Sequence, residues 1–254
     1  MNVAGDILRV ERVGHSFAGL NVLHSVSFAV GNSGIVGLIG PNGSGKTTLF
    51  NIISGFLATQ QGTITYCNEA LQKRSVQDRS NAGLVRTFQT PKVFENMTVI
   101  ENIMVGCCKH TRTSITQDLF RTPRANRELR TIREQADRIC AQFQLDSLRH
   151  ETAGKLTAGQ RRVLEIARAV VSEPKLLMLD EPSSGLNADE IQNLRGWITQ
   201  LRSEGIAILL VSHDMELMSV ADVVHVLYFG EIIVSGTMTE IQKNARVREV
   251  YLGV

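Results

Sequence analysis

The sequence has no apolar run long enough to cross a lipid bilayer. Its first residues, Met1 to Asp6, contain neither the basic region nor the apolar stretch of a secretion signal. The 4 cysteines show no paired metal-ligand spacing, which favours free thiols in a reducing compartment. A net charge of +2 gives no electrostatic reason to expect nucleic-acid binding. These absences predict a cytoplasmic protein that would meet a membrane only through a partner.

The rest of the composition is ordinary for a folded globular chain. Apolar residues make up 43% of the sequence and charged residues 20%. A length of 254 residues allows one large domain, or a domain with a subdomain. The function must therefore be inferred from motifs rather than from composition.

One stretch matches the pattern G-x-x-x-x-G-K-[ST], which is typical of a phosphate-binding loop, or P-loop. Its glycines let the backbone turn sharply and bring N–H groups close to phosphate oxygens. Lys46 supplies a point charge that reaches the β- and γ-phosphates, and the Thr47 hydroxyl is a ligand for Mg²⁺. The predicted nucleotide-binding residues of this loop are Gly40, Pro41, Asn42, Gly43, Ser44, Gly45, Lys46, Thr47 and Thr48.

The segments on either side of the loop have the order that a P-loop requires. Residues 35–39 form a short apolar run that predicts a buried strand, and residues 48–55 predict a helix closed by Gly55. The helix N-terminus would direct unpaired N–H groups and its positive dipole end at the phosphates. A glycine-rich turn that precedes a helix by chance does not account for this order.

Polar side chains follow other predicted strands. Asp180 and Glu181 end the apolar strand 176–181, as in a Walker B motif, where the aspartate holds the Mg²⁺ shell and the glutamate orients or deprotonates water. Gln89 ends a predicted strand at 82–89, and His213 follows one at 206–212. A lone glutamine or histidine at a strand end is usually an ordinary polar residue. Because α/β proteins place their sites at this edge of the sheet, His213 becomes a candidate site residue.

The remaining strand predictions place one aromatic side chain near the loop. Strands are predicted at 7–13, 22–30 and 62–66, with a hairpin of strands 223–228 and 232–235 around Gly230. Phe17 lies in the turn-rich segment between the first two strands. One interpretation makes Phe17 a core residue, and the other makes it a face on which adenine stacks. The residue alone favours neither.

Helical periodicity predicts helices at 96–106, from Pro123 onward with Thr122 as N-cap, and at 160–171. The apolar stripe of the helix that starts at Pro123 comprises Leu129, Ile132, Ala136, Ile139 and Phe143. Another face carries Arg124, Arg127, Arg130 and Arg133. A solvated face with acidic neighbours is the favoured interpretation of these arginines, and a surface for lipid headgroups or an acidic partner is the alternative. Residues 107–122 have little periodicity and are predicted to be the most mobile segment.

Taken together, the motifs resemble the ATP-binding subunit of an ABC transporter, over nearly the whole chain. The resemblance implies an α/β fold with a P-loop NTPase (RecA-like) core, an antiparallel β subdomain and an inserted α-helical subdomain at about 90–165. One ATP-binding cassette would span residues 1–254. The corresponding motifs are Phe17 at the adenine position, the P-loop, Gln89 in the Q-loop, the signature Leu156, Thr157, Ala158, Gly159 and Gln160, Walker B, the D-loop at 184–187 and His213 as the switch histidine.

The resemblance also implies roles for these residues toward ATP and Mg²⁺. Glu181, His213 and Gln89 would be catalytic, and Thr47, Gln89 and Asp180 would hold the metal or its water shell. The signature residues of a second cassette would close the site over the γ-phosphate. This chain has Thr157 and Ala158 where the family usually has serine and glycine, and Ser-Gly-Leu-Asn in the D-loop where Ser-Ala-Leu-Asp is commoner. These differences put the contacts between cassettes in doubt.

Some stretches resemble one branch of the family, the ATPases of branched-chain amino-acid importers. They lie at 85–91, 97–102, 159–169 and 250–253. The implied partners are a second ABC cassette, identical or different, integral membrane permease subunits and a periplasmic or extracellular solute-binding protein, with no nucleic acid. An ATPase of a urea or short-amide importer is the alternative. A soluble ABC ATPase in cofactor or cluster assembly is a rival of another class, whereas a small-molecule kinase would not explain the signature helix or His213.

Overall fold

A computed structural model describes residues 5–107 and 123–252. The chain divides into two compact units, the first formed by residues up to Gln89 and from Lys175 onward, and the second by Thr90–Pro174. None of the described helices combines the length and the apolar character needed to cross a membrane. Of the segment predicted to be mobile, only Cys107 is described, and 108–122, with the predicted cap Thr122, lie outside the described residues.

Most of the described helices begin directly after a residue whose side chain caps the helix N-terminus. In chain order they are α1 (Lys46–Ser54), α2 (Val76–Asn81), α3 (Val99–Gly106), α4 (Pro123–Gln142), α5 (Ala158–Val170), α6 (Ala188–Ser203), α7 (Met215–Met218), α8 (Met238–Lys243) and α9 (Ala245–Leu252). Helix α5 begins two residues before the predicted start at 160, because Thr157 and Gln160 form a capping box. Asn187 caps α6 in the same way, through a capping box with Glu190.

The larger sheet of the first unit is mostly parallel. Its strands are β3 (Ile35–Ile39), β6 (Leu84–Arg86), β7 (Leu176–Asp180), β8 (Ala207–Val211), β9 (Val223–Tyr228) and β10 (Glu231–Gly236). They are ordered β10-β9-β3-β8-β7-β6, and all pairs but β9 with β10 are parallel. Every residue of β3, β7 and β8 is buried, as continuous apolar runs predict. The carboxyl ends of these strands therefore meet at one edge.

The smaller sheet of the first unit is antiparallel. It contains β1 (Asp6–Phe17), β2 (Leu20–Gly31), β4 (Gln61–Tyr66) and β5 (Glu69–Ala70) in the order β2-β1-β4-β5. Strands β1 and β2 are joined by Ala18 and Gly19, whose φ angles of 46° and 88° form a tight hairpin turn. Phe17 is thus the last residue of β1 rather than part of a loose loop.

A buried arginine fixes the far end of α1. The Arg79 guanidinium donates hydrogen bonds to the carbonyl oxygens of Ile52 and Ile53 at 2.7 Å each, and to those of Leu71 and Arg74. Ile52 and Ile53 lie in the last turn of α1, whose carbonyls lack the usual intrahelical partner. Burial lowers the pKa of Arg79 from its ordinary value. The helix that follows the P-loop is thereby anchored at its C-terminus.

The second unit is helical and packs one face of α4 inward. Ala136, Cys140 and Phe143 of α4 are buried. Leu129 was predicted to share this stripe, and that prediction is wrong, because its side chain is 53% exposed. It lies about two turns before Ala136, the first buried position of this stripe. Arg130 pairs with Glu134 on the exposed face, as the solvated interpretation of the arginine row expects.

Helix α5 holds the chain just after Gln89. The Lys92 N–H donates to Glu165 at 3.1 Å, and Arg168 donates to the Lys92 carbonyl. Glu165 also accepts a hydrogen bond from Arg162 at 2.8 Å, and both side chains of this pair are almost completely buried. Loss of either partner would leave the other as an uncompensated buried charge, so Glu165 is held in place by Arg162. Glu165 in turn holds the backbone of Lys92 on α5.

Candidate nucleotide site

A cleft of about 250 Å³ lies in the first unit, at the carboxyl ends of its parallel strands. It is lined by Phe17, Val22, Asn42, Gly43, Ser44, Gly45, Lys46, Thr47, Thr48, Gln89, Asp180, Glu181 and Val211. The structure therefore brings together the P-loop, the two acidic residues, Gln89 and Phe17. His213 is not among the lining residues but contacts one of them, as described below.

The N-terminus of α1 differs from those of other helices in having no cap from the protein. Helices α2, α3, α5, α6, α7 and α8 begin with side-chain caps, from Ser75, Thr98, Thr157, Asn187, Asp214 and Thr237. Helix α1 begins after Gly45 with no side-chain cap and no acidic residue in its first turn. Its free N–H groups and positive dipole end face the cleft, which suits a phosphate.

Two glycines of the loop are required for different reasons. A Cβ at Gly40 would lie 2.1 Å from the Leu227 carbonyl oxygen, so any side chain there would collide with backbone. Gly43 has a φ of 81°, and a Cβ there would meet nothing within 4 Å. Gly43 is therefore set by its left-handed backbone and by the open approach it leaves for a ligand.

Lys46 is tied to its own loop rather than facing solvent. Its Nζ donates to the carbonyl oxygens of Gly40 at 2.7 Å and Pro41 at 3.0 Å. Burial lowers the pKa of the Lys46 ammonium from its ordinary value, and the negative charges of Glu181 and then Asp180 act in the opposite direction. The ammonium is held near both carboxylates and near the uncapped helix start, where it is placed to bind a phosphate.

Asp180 is buried and has a partner that its position in the sequence did not reveal. Its side chain is 5% exposed, and its Oδ2 accepts a hydrogen bond from Arg86 at 2.8 Å. The Asp180 N–H donates to the Thr87 hydroxyl at 3.3 Å. Arg86 and Thr87 were missed as site residues. The sequence feature that could have identified Arg86 is a charged residue at the end of a short apolar strand.

Glu181 has an unusual backbone and a direct contact with His213. Its φ is 49°, in the left-handed region that non-glycine residues seldom adopt. Glu181 Oε2 lies 2.8 Å from His213 Nδ1 and accepts the His213 N–H at 3.3 Å. The Glu181 side chain is 16% exposed and that of His213 is 74% exposed. Residues with a strained backbone are common at functional sites. Here the strained residue is Glu181, which lines the cleft.

The donor set of the cleft fits a magnesium–nucleotide complex. The Thr47 hydroxyl, the Gln89 amide and the Asp180 carboxylate line the same cleft, and oxygen atoms are the ligands that Mg²⁺ prefers. Among the described residues, no group of three or more His, Cys, Asp or Glu could hold a metal alone. Ser44 adds a buried Oγ with no hydrogen-bond partner among the described residues.

Phe17 is a surface aromatic of the cleft, so the core interpretation is wrong. Its ring is 45% exposed, and its edge meets the His15 ring with centroids 4.6 Å apart. An exposed ring, supported on one side and beside a P-loop, is suited to stacking on a base.

Replacing Phe17 with alanine is expected to weaken adenine-nucleotide binding by roughly 1–3 kcal/mol, the usual value of base stacking on an aromatic ring. The thermal midpoint should change little, because much of the ring is already exposed. Calorimetric titration with ATP and a thermal melt of the nucleotide-free variant measure the two effects. A clear drop in the melting temperature with unchanged affinity would contradict the stacking role.

The signature residues lie in the second unit, at the start of α5. The Thr157 hydroxyl accepts the Gln160 N–H, and the Gln160 side chain accepts the Thr157 N–H. Thr157 and Ala158 are exposed, whereas Leu156 and Gly159 are buried. Although Thr157 caps its own helix through its oxygen, the hydroxyl proton is still available for donation to a ligand.

A family model described as ABC transporter matches residues 23–184, more than half of the chain. The chain belongs to the ABC transporter ATP-binding family. This family binds nucleotide and hydrolyses ATP, so the ABC ATPase prediction is confirmed. A second model, described as branched-chain amino acid ATP-binding cassette transporter, matches residues 231–254 of this ABC ATPase.

Similar proteins extend the match to nearly the whole chain. The high-affinity branched-chain amino acid transport ATP-binding protein BraF of Pseudomonas aeruginosa is 39% identical over 249 residues, 97% of this chain and 98% of the relative. LivG of Escherichia coli, with the same description, is 37% identical over 249 residues, 97% of this chain and 98% of the relative. A solved ABC transporter cassette in its ADP conformation has a TM-score of 0.84 at 31% identity, covering 98% and 99% of the two chains. The predicted P-loop NTPase fold is thus confirmed.

Proposed function

We propose that this ABC ATPase is the ATP-hydrolysing subunit of an importer for branched-chain or related amino acids. The observation that carries the proposal is the single cleft that holds Lys46, Asp180 and Glu181 before the uncapped start of α1. ATP would bind there, and its hydrolysis would drive a membrane permease.

The P-loop residues would bind and orient the phosphates. Lys46 would exchange its contacts with the Gly40 and Pro41 carbonyls for the β- and γ-phosphates, and the free N–H groups of α1 would bind phosphate oxygens. Phe17 would stack on the adenine. This binding places the γ-phosphate toward the end of β7, near Glu181.

Glu181 would act as the base for the attacking water, with His213 beside it. The 2.8 Å contact between Glu181 Oε2 and His213 Nδ1 orients the carboxylate, and His213 would then contact the γ-phosphate. Thr47, Gln89 and Asp180 would hold Mg²⁺ or its water shell. When bound, Mg²⁺ neutralises charge on the β- and γ-phosphate oxygens. Catalysis would come from positioning and charge stabilisation.

The signature residues would complete the site of a second cassette, identical or different. Leu156 to Gln160 begin α5 with Thr157 exposed, as a surface that binds a partner's γ-phosphate would require. We propose that the second unit, Thr90–Pro174, is the inserted helical subdomain on which permease loops dock. The assembly would then lie on the inner face of the cell membrane, with a solute-binding protein outside.

The solute class rests on the relatives and on the C-terminus. BraF and LivG are described as branched-chain amino acid transport proteins, and residues 231–254 match the model of that type. A urea or short-amide importer is the second candidate. Native purification of the complex, followed by calorimetric titration of its solute-binding protein with leucine, isoleucine, valine and urea, distinguishes the two. Urea binding without amino-acid binding would overturn the first.

The purified subunit alone is expected to be a weak ATPase whose rate per molecule rises with protein concentration. The reason is that each site lacks half of its parts until a second cassette supplies its signature. A phosphate-release assay over a hundredfold dilution series measures this dependence. Brisk hydrolysis at a constant specific rate would contradict the shared site. Recovery of the native protein in the membrane fraction, lost after mild base, separates an importer subunit from a soluble assembly ATPase.

A further inference from the structure

Arg86 is a buried charge at the end of β6 that joins two parts of the site. Its side chain is 6% exposed, and one terminal nitrogen donates to Asp180 Oδ2 at 2.8 Å. The other terminal nitrogen donates to Asn51 Oδ1 at 2.7 Å and Ser54 Oγ at 3.0 Å. Asn51 and Ser54 belong to α1, the helix that begins at the P-loop. One guanidinium therefore joins the Walker B aspartate to the P-loop helix.

The same guanidinium also lies over two aromatic rings. Its central carbon lies 5.4 Å from the centre of the Phe50 ring and 5.6 Å from that of Phe88. Phe88 immediately precedes Gln89, so the contact also reaches the segment after β6 that carries the Q-loop glutamine. A planar guanidinium with two hydrogen-bonded nitrogens and two ring contacts has little freedom to move. Asp180 thus has a rigid partner.

The geometry assigns separate tasks to the two oxygens of Asp180. Arg86 occupies Oδ2, which leaves Oδ1 of this cleft-lining residue for a metal or a metal-bound water. A buried carboxylate also needs a counter-charge when no metal is bound, and without one it would turn toward the nearest cation. The nearby cation is Lys46, whose ammonium already interacts with both carboxylates.

We propose that Arg86 is a positioning residue for the metal of the ATP site. It holds Asp180 directed into the cleft and fixed to α1, so that Mg²⁺ would meet a preformed ligand. The inference rests on the proposed role of Asp180 in holding the metal shell. Arg86 itself touches neither nucleotide nor metal and acts through Asp180.

The test compares nucleotide binding with and without the metal in Arg86→Met. Partners of metal ligands typically contribute about 10–100-fold to metal affinity. We expect the Mg²⁺ concentration for half-maximal binding of a fluorescent ATP analogue to rise by that factor. Affinity for the analogue in EDTA should stay within about twofold of the wild type, because Lys46 and the loop are untouched. Arg86→Lys keeps the charge but not the two-nitrogen geometry, so a smaller rise is expected.

Arg79→Met is the matched control, because Arg79 is also buried and also bonds α1, but at its far end and without contact to Asp180. It should lower stability and leave the Mg²⁺ dependence unchanged. Three results would each overturn the proposal. The first is a wild-type Mg²⁺ dependence in folded Arg86→Met, and the second is an equal loss of its nucleotide affinity in EDTA. The third is the same shift in Mg²⁺ dependence in Arg79→Met. If Arg86→Met does not fold, Arg86→Lys decides in the same way. No nucleotide binding by the wild type would instead overturn the proposed function.

Discussion

Replacing Glu181 with glutamine is expected to slow ATP hydrolysis by roughly two to four orders of magnitude, the usual contribution of a general base. Glutamine keeps the size of the side chain and one oxygen toward His213, but it cannot take a proton from water. The left-handed backbone at 181 should stay as it is, since both side chains strain it equally. Single-turnover phosphate release measures the chemical step.

ATP binding should survive this change, since the phosphates are held by Lys46, the loop N–H groups and the metal. Removal of a negative charge near the γ-phosphate should even favour binding. The variant should therefore accumulate as an ATP-loaded pair of cassettes, visible as a larger species in gel filtration with Mg-ATP. Asp180→Asn is the control and should lose both the larger species and turnover. Hydrolysis by Glu181→Gln near the wild-type rate would make Glu181 a structural acid.

Replacing Lys46 with alanine is expected to lower ATP affinity by about a hundredfold, from the loss of charged hydrogen bonds to the phosphates. In the structure, the Lys46 Nζ donates to the Gly40 and Pro41 carbonyls. The substitution therefore also frees two carbonyls of the loop. Calorimetric titration with ATP measures the affinity, and a thermal melt measures any cost to the fold.

Lys46→Met is the informative companion, because it keeps most of the side-chain length and removes the ammonium with its charge and hydrogen-bond donors. Equal losses of affinity in the two variants would assign the effect to the ammonium. A loss restricted to Lys46→Ala would assign it to loop packing instead. Nucleotide binding equal to that of the wild type in both variants would be incompatible with the P-loop assignment.

Local sequence patterns predicted the elements that carry the P-loop. The strand at 35–39 has the predicted bounds, and Gly55 closes α1 as predicted, as the C-cap after Ser54. An apolar run and a C-terminal glycine are both signals within one short segment. The hairpin around Gly230 was equally local. Such elements can be predicted from a short stretch of sequence, without knowing which other elements pack against them.

Predictions failed where neighbours decide the outcome. The strand predicted at 82–89 is a strand only over Leu84–Arg86, the three residues that pair with Leu176–Met178 of β7. Arg86 was missed for the same reason, since its task appears only once β6 lies beside β7. Leu129 has a helical spacing from buried residues, yet its side chain is 53% exposed among the described residues. Roles for Glu181, His213, Gln89 and the signature remain predictions from motif order, now with a geometry that allows them.

The uncapped start of α1 has a consequence for the life of the protein in the cell. Helix caps typically contribute about 1 kcal/mol each, and this helix leaves that contribution to its ligand. A ligand that binds only the folded state stabilises it by mass action, by about 2.7 kcal/mol at a hundred times the dissociation constant. The energy charge of the cell would then set the folded lifetime of this subunit as well as its turnover. This subunit should be degraded faster in cells depleted of ATP than in cells with a normal ATP concentration.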